Sequence, residues 1–141
     1  MNKILLAVTA IFFANTLSAA TFEVEMLNRL GKESMVYSQS VVNVQSGDTV
    51  KWLATTKGHN VQFLSVPEGV GAFRSKLNVD TEYTFTVPGI YLYQCTPHKN
   101  MGMIAIVVVD GNKDNLNAIT SARVAGKSKK RLAKIIETLS S

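Results

Sequence analysis

Two short stretches of this chain hold the residues best suited to chemistry: Gln94-Cys95-Thr96-Pro97-His98-Lys99-Asn100-Met101-Gly102-Met103 and, upstream, Lys57-Gly58-His59-Asn60. Between them they contain its single cysteine and both of its histidines. A thiolate, two imidazoles and a thioether form a soft, mixed donor set, and two His with one Cys and a weak axial Met suit electron-transfer copper. Zinc ordinarily takes four strong ligands or keeps an open water position. Singly, each residue has an ordinary use: cysteine and methionine as core packing, histidine as a satisfied loop residue. Their joint placement points to a metal. A nucleophilic role for Cys95, activated by His98, lacks an orienting acid near the loop and leaves the methionines unexplained.

Positioning such a set falls to β-strand ends. Phe22, Val24 and Met26 alternate with polar neighbours, as do Val42 and Val44 before the turn Ser46-Gly47-Asp48, and Val50, Trp52 and Ala54 after it. Further strands are expected at Val61–Val66, around Tyr83, Phe85 and Val87 before Pro88-Gly89, at Ile90–Cys95, and around Ile104, Ile106 and Val108. Many short strands with punctuated turns predict a β-sandwich or barrel. Cys95 then ends a strand, and the Thr96-Pro97 turn, stiffened by the fixed φ of Pro97, brings His98 to the same point. His59 must arrive from another strand end. After Gly111 the spacing turns helical, with one helix expected in about 113–122 and a second in about 129–139, where Leu132, Ile135, Ile136 and Leu139 follow i, i+3, i+4, i+7.

The first twenty residues read as an address, not as fold. Lys3 supplies a positive start, Ile4–Ala14 is apolar except for Thr9, and Leu17-Ser18-Ala19-Ala20 offers small residues for cleavage after Ala19 or Ala20. The run is shorter than the roughly twenty apolar residues of a membrane span, so export with removal is expected, with no membrane anchoring after processing. Residues 21–141 then form one domain, long enough to bury roughly two-thirds of its unfolded surface. An unpaired thiol in an exported chain is an oxidation liability, which metal ligation removes. With 18% charged residues and three prolines the composition excludes intrinsic disorder and a nucleic-acid-binding tail. One cysteine excludes a disulfide framework. The formal charge of +5 is unevenly placed: residues 20–122 carry eight basic and nine acidic side chains, while Arg123 onward carries six basic residues against Glu137. Lys127, Lys129, Lys130 and Arg131 are expected on the solvated side of the last helix, away from the metal.

The chain resembles the cupredoxins, and within them the pseudoazurins, over nearly all of residues 21–141. The resemblance rests on Phe22-Glu23-Val24-Glu25-Met26-Leu27-Asn28, Gly47-Asp48-Thr49-Val50, Lys57-Gly58-His59-Asn60-Val61 and Phe73-Arg74-Ser75-Lys76. It continues through Pro88-Gly89-Ile90-Tyr91, Cys95-Thr96-Pro97-His98, Met101-Gly102-Met103 and two C-terminal helices. It implies an eight-stranded Greek-key sandwich binding one type 1 copper through His59, Cys95, His98 and an axial methionine. Met101 follows His98 by three residues, as in amicyanins, and Met103 by five, as in pseudoazurins and plastocyanins, so the whole-chain resemblance selects Met103.

Asn60 is implied to tie the ligand loops together and to help orient the thiolate, with Pro97 supporting the loop. The function implied is a monomeric periplasmic electron carrier, passing electrons from a c-type cytochrome to a copper nitrite reductase or similar enzyme of denitrification. Copper storage or delivery is the alternative. His98 would present its ring edge through an apolar patch to which Met35, Pro97 and Met103 contribute, ringed by cations drawn from Arg29, Lys32, Lys57, Arg74, Lys76 and Lys99. Gln94 and Lys99 depart from the lysine and aromatic common at their positions, and Tyr37-Ser38-Gln39-Ser40 lacks a proline often found there.

Overall fold

A computed structural model describes residues 17–141, so most of the expected export signal, residues 1–16, lies outside the described residues. Eight strands form two four-stranded sheets. They are β1 (Thr21–Leu30), β2 (Glu33–Tyr37), β3 (Val41–Val44), β4 (Thr49–Leu53), β5 (Gln62–Ser65), β6 (Thr81–Thr84), β7 (Gly89–Gln94) and β8 (Ile104–Val109). One sheet runs β2-β1-β4-β6 and the other β3-β8-β7-β5. β1 with β4 and β3 with β8 pair in parallel, and every other neighbour is antiparallel. Two helices follow, α1 (Leu116–Thr120) and α2 (Ser128–Ser140). These are the two sheets and C-terminal helices that the resemblance implies.

Strand alternation sorts the core into two layers. Tyr91, Tyr93, Cys95, Met103, Ala105, Val107 and Val109 face the opposite sheet, where they meet Val24, Met26, Val50, Trp52 and Phe85. The intervening Ile90, Leu92, Ile104, Ile106 and Val108 face outward and are covered by Ile119, Leu132, Ile135 and Leu139 of the helices. β7 and β8 are therefore buried on both faces, which is why Ile104–Val109 is apolar throughout. Burial of each large apolar side chain contributes about 1.5–3 kcal/mol. Among the described residues no helix is long and apolar enough to cross a membrane.

Alternation in the sequence does not mark β2. Val36 and Tyr37 are consecutive buried residues, and Met35, with a positive φ of 53°, is left unpaired between Leu27↔Val36 and Arg29↔Ser34, while the register on its two sides is the same. The loop after β2, which lacks the proline, is held to β1 by Ser38 and Gln39. The Glu25 N–H donates to Ser38 Oγ (2.8 Å) and Gln39 Nε2 donates to the Glu23 carbonyl (3.1 Å). α1 is shorter than the expected ten residues. Asn112 Oδ1 accepts from the Asp114 N–H (2.9 Å), and Asn115 bonds both the N–H and the carbonyl of Ile90 (2.9 and 2.8 Å). These side chains hold the backbone before Leu116 in turns instead of helix.

Candidate metal centre

The register of β5, β7 and β8 creates the centre. Gln62 pairs with Gln94 and Gln94 with Ile104, so the chain just beyond these residues converges: His59 before β5, Cys95 after β7 and Met103 before β8. The Cys95 N–H donates to the Met103 carbonyl (3.0 Å), fixing those two side by side. Thr96–His98 forms one turn of 3₁₀ helix with Pro97 near its start, and the His98 N–H returns to the Cys95 carbonyl (3.2 Å). Cys95 Sγ consequently lies 3.4 Å from His98 Nδ1 and 3.7 Å from His59 Nδ1. All three donor atoms fall within 4.8 Å of one another.

The tautomer of His59 is fixed from behind. Its Nε2 lies 2.8 Å from Asn28 Oδ1; that oxygen only accepts, so Nε2 carries the proton and Nδ1 turns a lone pair toward the sulfur. Asn28 is the site residue that sequence reasoning missed. Its side chain lies at the exposed end of β1, and no local pattern marks it. Asn78 was missed as well: its Oδ1 accepts the Gly58 N–H and its N–H donates to the His59 carbonyl (3.1 Å), clamping the histidine loop. A left-handed Asn78 (φ 64°) in a Leu-Asn-Val turn is the one signal the sequence offered.

Asn60 joins the two ligand loops. Its Oδ1 accepts from the Thr96 N–H (2.8 Å) and from the Thr96 hydroxyl (3.1 Å), and its Nδ2 donates to the Ser75 carbonyl (3.3 Å). Tyr37 Oη donates to the Asn60 carbonyl (2.7 Å). Beneath lies an aromatic stack in which Tyr93 meets Tyr37 and Trp52 edge to face, with centroids 4.8 and 5.2 Å apart. Gln94 is buried and donates to Gln62 Oε1 (3.1 Å), which accounts for an amide at that position.

Burial decides the protonation preferences without metal. It pushes the Cys95 thiol up, partly offset by N–H groups of Asn60 and His98 that favour the thiolate. It lowers His59, which the neighbouring His98 lowers further, and it lowers His98. Two neutral imidazoles are ready ligands, and a metal cation supplies the charge that a buried thiolate lacks.

The remaining expected residues divide by exposure. Met103 is fully buried, so it forms no part of a surface patch, contrary to expectation; it lies in the core cluster that also holds Cys95. Met101 is 42% exposed. Pro97 is exposed, while His98 and Met35 are half-buried. Arg29, Lys57, Lys76 and Lys99 are all exposed. Each adjoins in sequence a residue that touches the centre or its supports: Asn28, Gly58, Ser75 and His98. A side chain at Gly58 would lie 3.7 Å from His98 Cε1, so that loop borders the half-buried ligand.

A soft thiolate between two imidazoles, inside a pre-formed apolar cage, fits copper. Residues 24–110 match the family model of copper binding proteins, plastocyanin/azurin family. The chain is 40% identical over 116 residues to a pseudoazurin of Paracoccus pantotrophus, covering 81% of this chain and 80% of that protein. A solved Sinorhizobium pseudoazurin superposes with a TM-score of 0.82 at 38% identity, covering 86% of this chain and 98% of that one. Against an amicyanin of Paracoccus versutus the identity is 38% over 76 residues, only 51% of this chain and 58% of the relative. The similarity to pseudoazurins thus covers more of this chain than the similarity to that amicyanin, and one type 1 copper ion is the cofactor that this donor set and family require. The chain belongs to the plastocyanin/azurin family of copper-binding proteins.

Proposed function

We propose that His59, Cys95, His98 and Met103 hold the copper of an exported electron carrier, released into the periplasm after removal of residues 1–19 or 1–20. The convergence of Cys95 Sγ with both histidine Nδ1 atoms carries this reading. Copper, when bound, supplies a one-electron couple between Cu(I) and Cu(II). The protein supplies rigidity: Asn28 orients His59, Asn60 locks Thr96 beside Cys95, and the aromatic stack supports both loops. Ligands that do not move keep reorganisation small. His98 is the one donor that is only half-buried, so a partner placed over it is a single side chain from the centre.

The exposed Pro97 and the cations Arg29, Lys57, Lys76 and Lys99 around that end suit a weak encounter with an acidic redox partner. By family resemblance, a c-type cytochrome is the donor and a copper nitrite reductase or related enzyme the acceptor. Reconstitution with Cu(II) tests the core of this reading. An intense visible thiolate-to-copper band, reversibly bleached by reductant and absent from Cys95→Ser, is expected. Met103→Leu should shift the reduction potential more than Met101→Leu. A colourless protein that still binds Cu(I) would indicate delivery instead.

A further inference from the structure

The C-terminal helix does not carry its charge away from the metal loop. Lys127, Lys130, Arg131 and Lys134 line one recess of about 570 Å³ together with Met101 and Gly102, which directly follow the His98 turn. Four cations in that recess face one carboxylate, Glu33, which pairs with Arg131 at 2.8 Å. Their net charge of +3 compares with +4 for all of residues 17–141, where 14 basic and 10 acidic side chains are otherwise nearly balanced. The recess is thus a local concentration of positive charge on a molecule whose remaining side chains are nearly balanced.

Its position is fixed relative to the metal loop. The Lys127 N–H donates to the Asn100 carbonyl (2.9 Å) and Ser128 Oγ to the Lys99 carbonyl (2.6 Å). Gly126 lies so close to Asn100 that any β-carbon would strike its carbonyl. Anything held by the helix is therefore held at a set distance from His98.

We propose that this recess is a second docking element, separate from the cations around His98, that receives a protruding acidic segment of the redox partner. This rests on the electron-carrier reading for its purpose. A concave site favours a protein edge over a flat lipid surface, because cations on the walls of a recess reach a projecting carboxylate run from two sides. The exposed Met101 at its rim supplies the apolar contact next to the ligand loop.

The test titrates full-length mature, copper-loaded and reduced protein, ¹⁵N-labelled, with a decaglutamate peptide. Saturable amide shifts are expected at Met101, Gly102 and residues 127–134. Lys130→Ala with Lys134→Ala, both exposed positions, should weaken binding about tenfold, Glu33→Gln should tighten it about twofold, and Lys57→Ala with Lys76→Ala should change it by less than about twofold. Shifts confined to the surroundings of Lys57 and Lys76 would overturn the proposal. So would displacement of the peptide by inorganic phosphate at equal concentration, which indicates a small-anion pocket, or binding to phosphatidylglycerol vesicles without a peptide response. The visible band of the oxidised sample, recorded first, separates the two readings. A blue protein with no peptide response refutes only the recess, and a colourless one refutes only the carrier.

Discussion

Asn28 illustrates how much of the centre depends on residues that never touch the metal. Its carbonyl oxygen accepts from His59 Nε2 and so presents Nδ1 as the ligand atom. A lost second partner of a metal-bound histidine typically costs 10–100-fold in affinity. Asn28→Leu is therefore expected to weaken copper binding by about 10–100-fold in chelator competition, with Asn28→Asp retaining most of it. Unchanged affinity in Asn28→Leu would mean that the His59 ring is held by burial alone. Cys95, His59 and His98 were legible from type and spacing, because a turn of three residues after a strand confines two side chains to one place. Asn28 was not legible, since its pairing with His59 bridges 31 residues and depends on where β1 ends relative to the loop before β5.

Each element does one thing for the site. β7 and β8 deliver Cys95 and Met103 in a fixed register, and α2 braces the loop between them from outside. The brace depends on Gly126, whose contact with Asn100 excludes a side chain and whose φ of 53° disfavours one. Gly126→Ala should cost about 1–3 kcal/mol in denaturant unfolding, through overpacking and left-handed strain. If stability is unchanged, α2 is not tied to the loop. The strands were legible where one face is buried and one is not, as in β1 and β4. β2 escaped because the left-handed backbone at Met35 breaks its alternation, and α1 was overestimated because asparagine side chains compete for its first turn.

At the scale of the whole molecule, charge is distributed for encounter and not for tight binding. The sandwich is nearly neutral, so steering must come from cations grouped around His98 and along α2. Screening shortens from about 30 Å at 0.01 M salt to about 8 Å at 0.15 M. Stopped-flow electron transfer to a copper nitrite reductase should therefore slow by about tenfold or more over that range. A flat dependence contradicts cation-guided docking.

By itself the sequence determined the cysteine and histidine donors, the all-β class and the helical stripe Leu132, Ile135, Ile136, Leu139, since these follow from residue chemistry and from periods of two and 3.6. The tertiary structure alone decided three matters. It buried Met103 and exposed Met101, it brought Asn28 and Asn78 to the His59 loop, and it turned the basic side of α2 toward the metal loop. Each depends on how distant segments meet. Local periodicity says which face of an element is buried, but not which neighbour covers it.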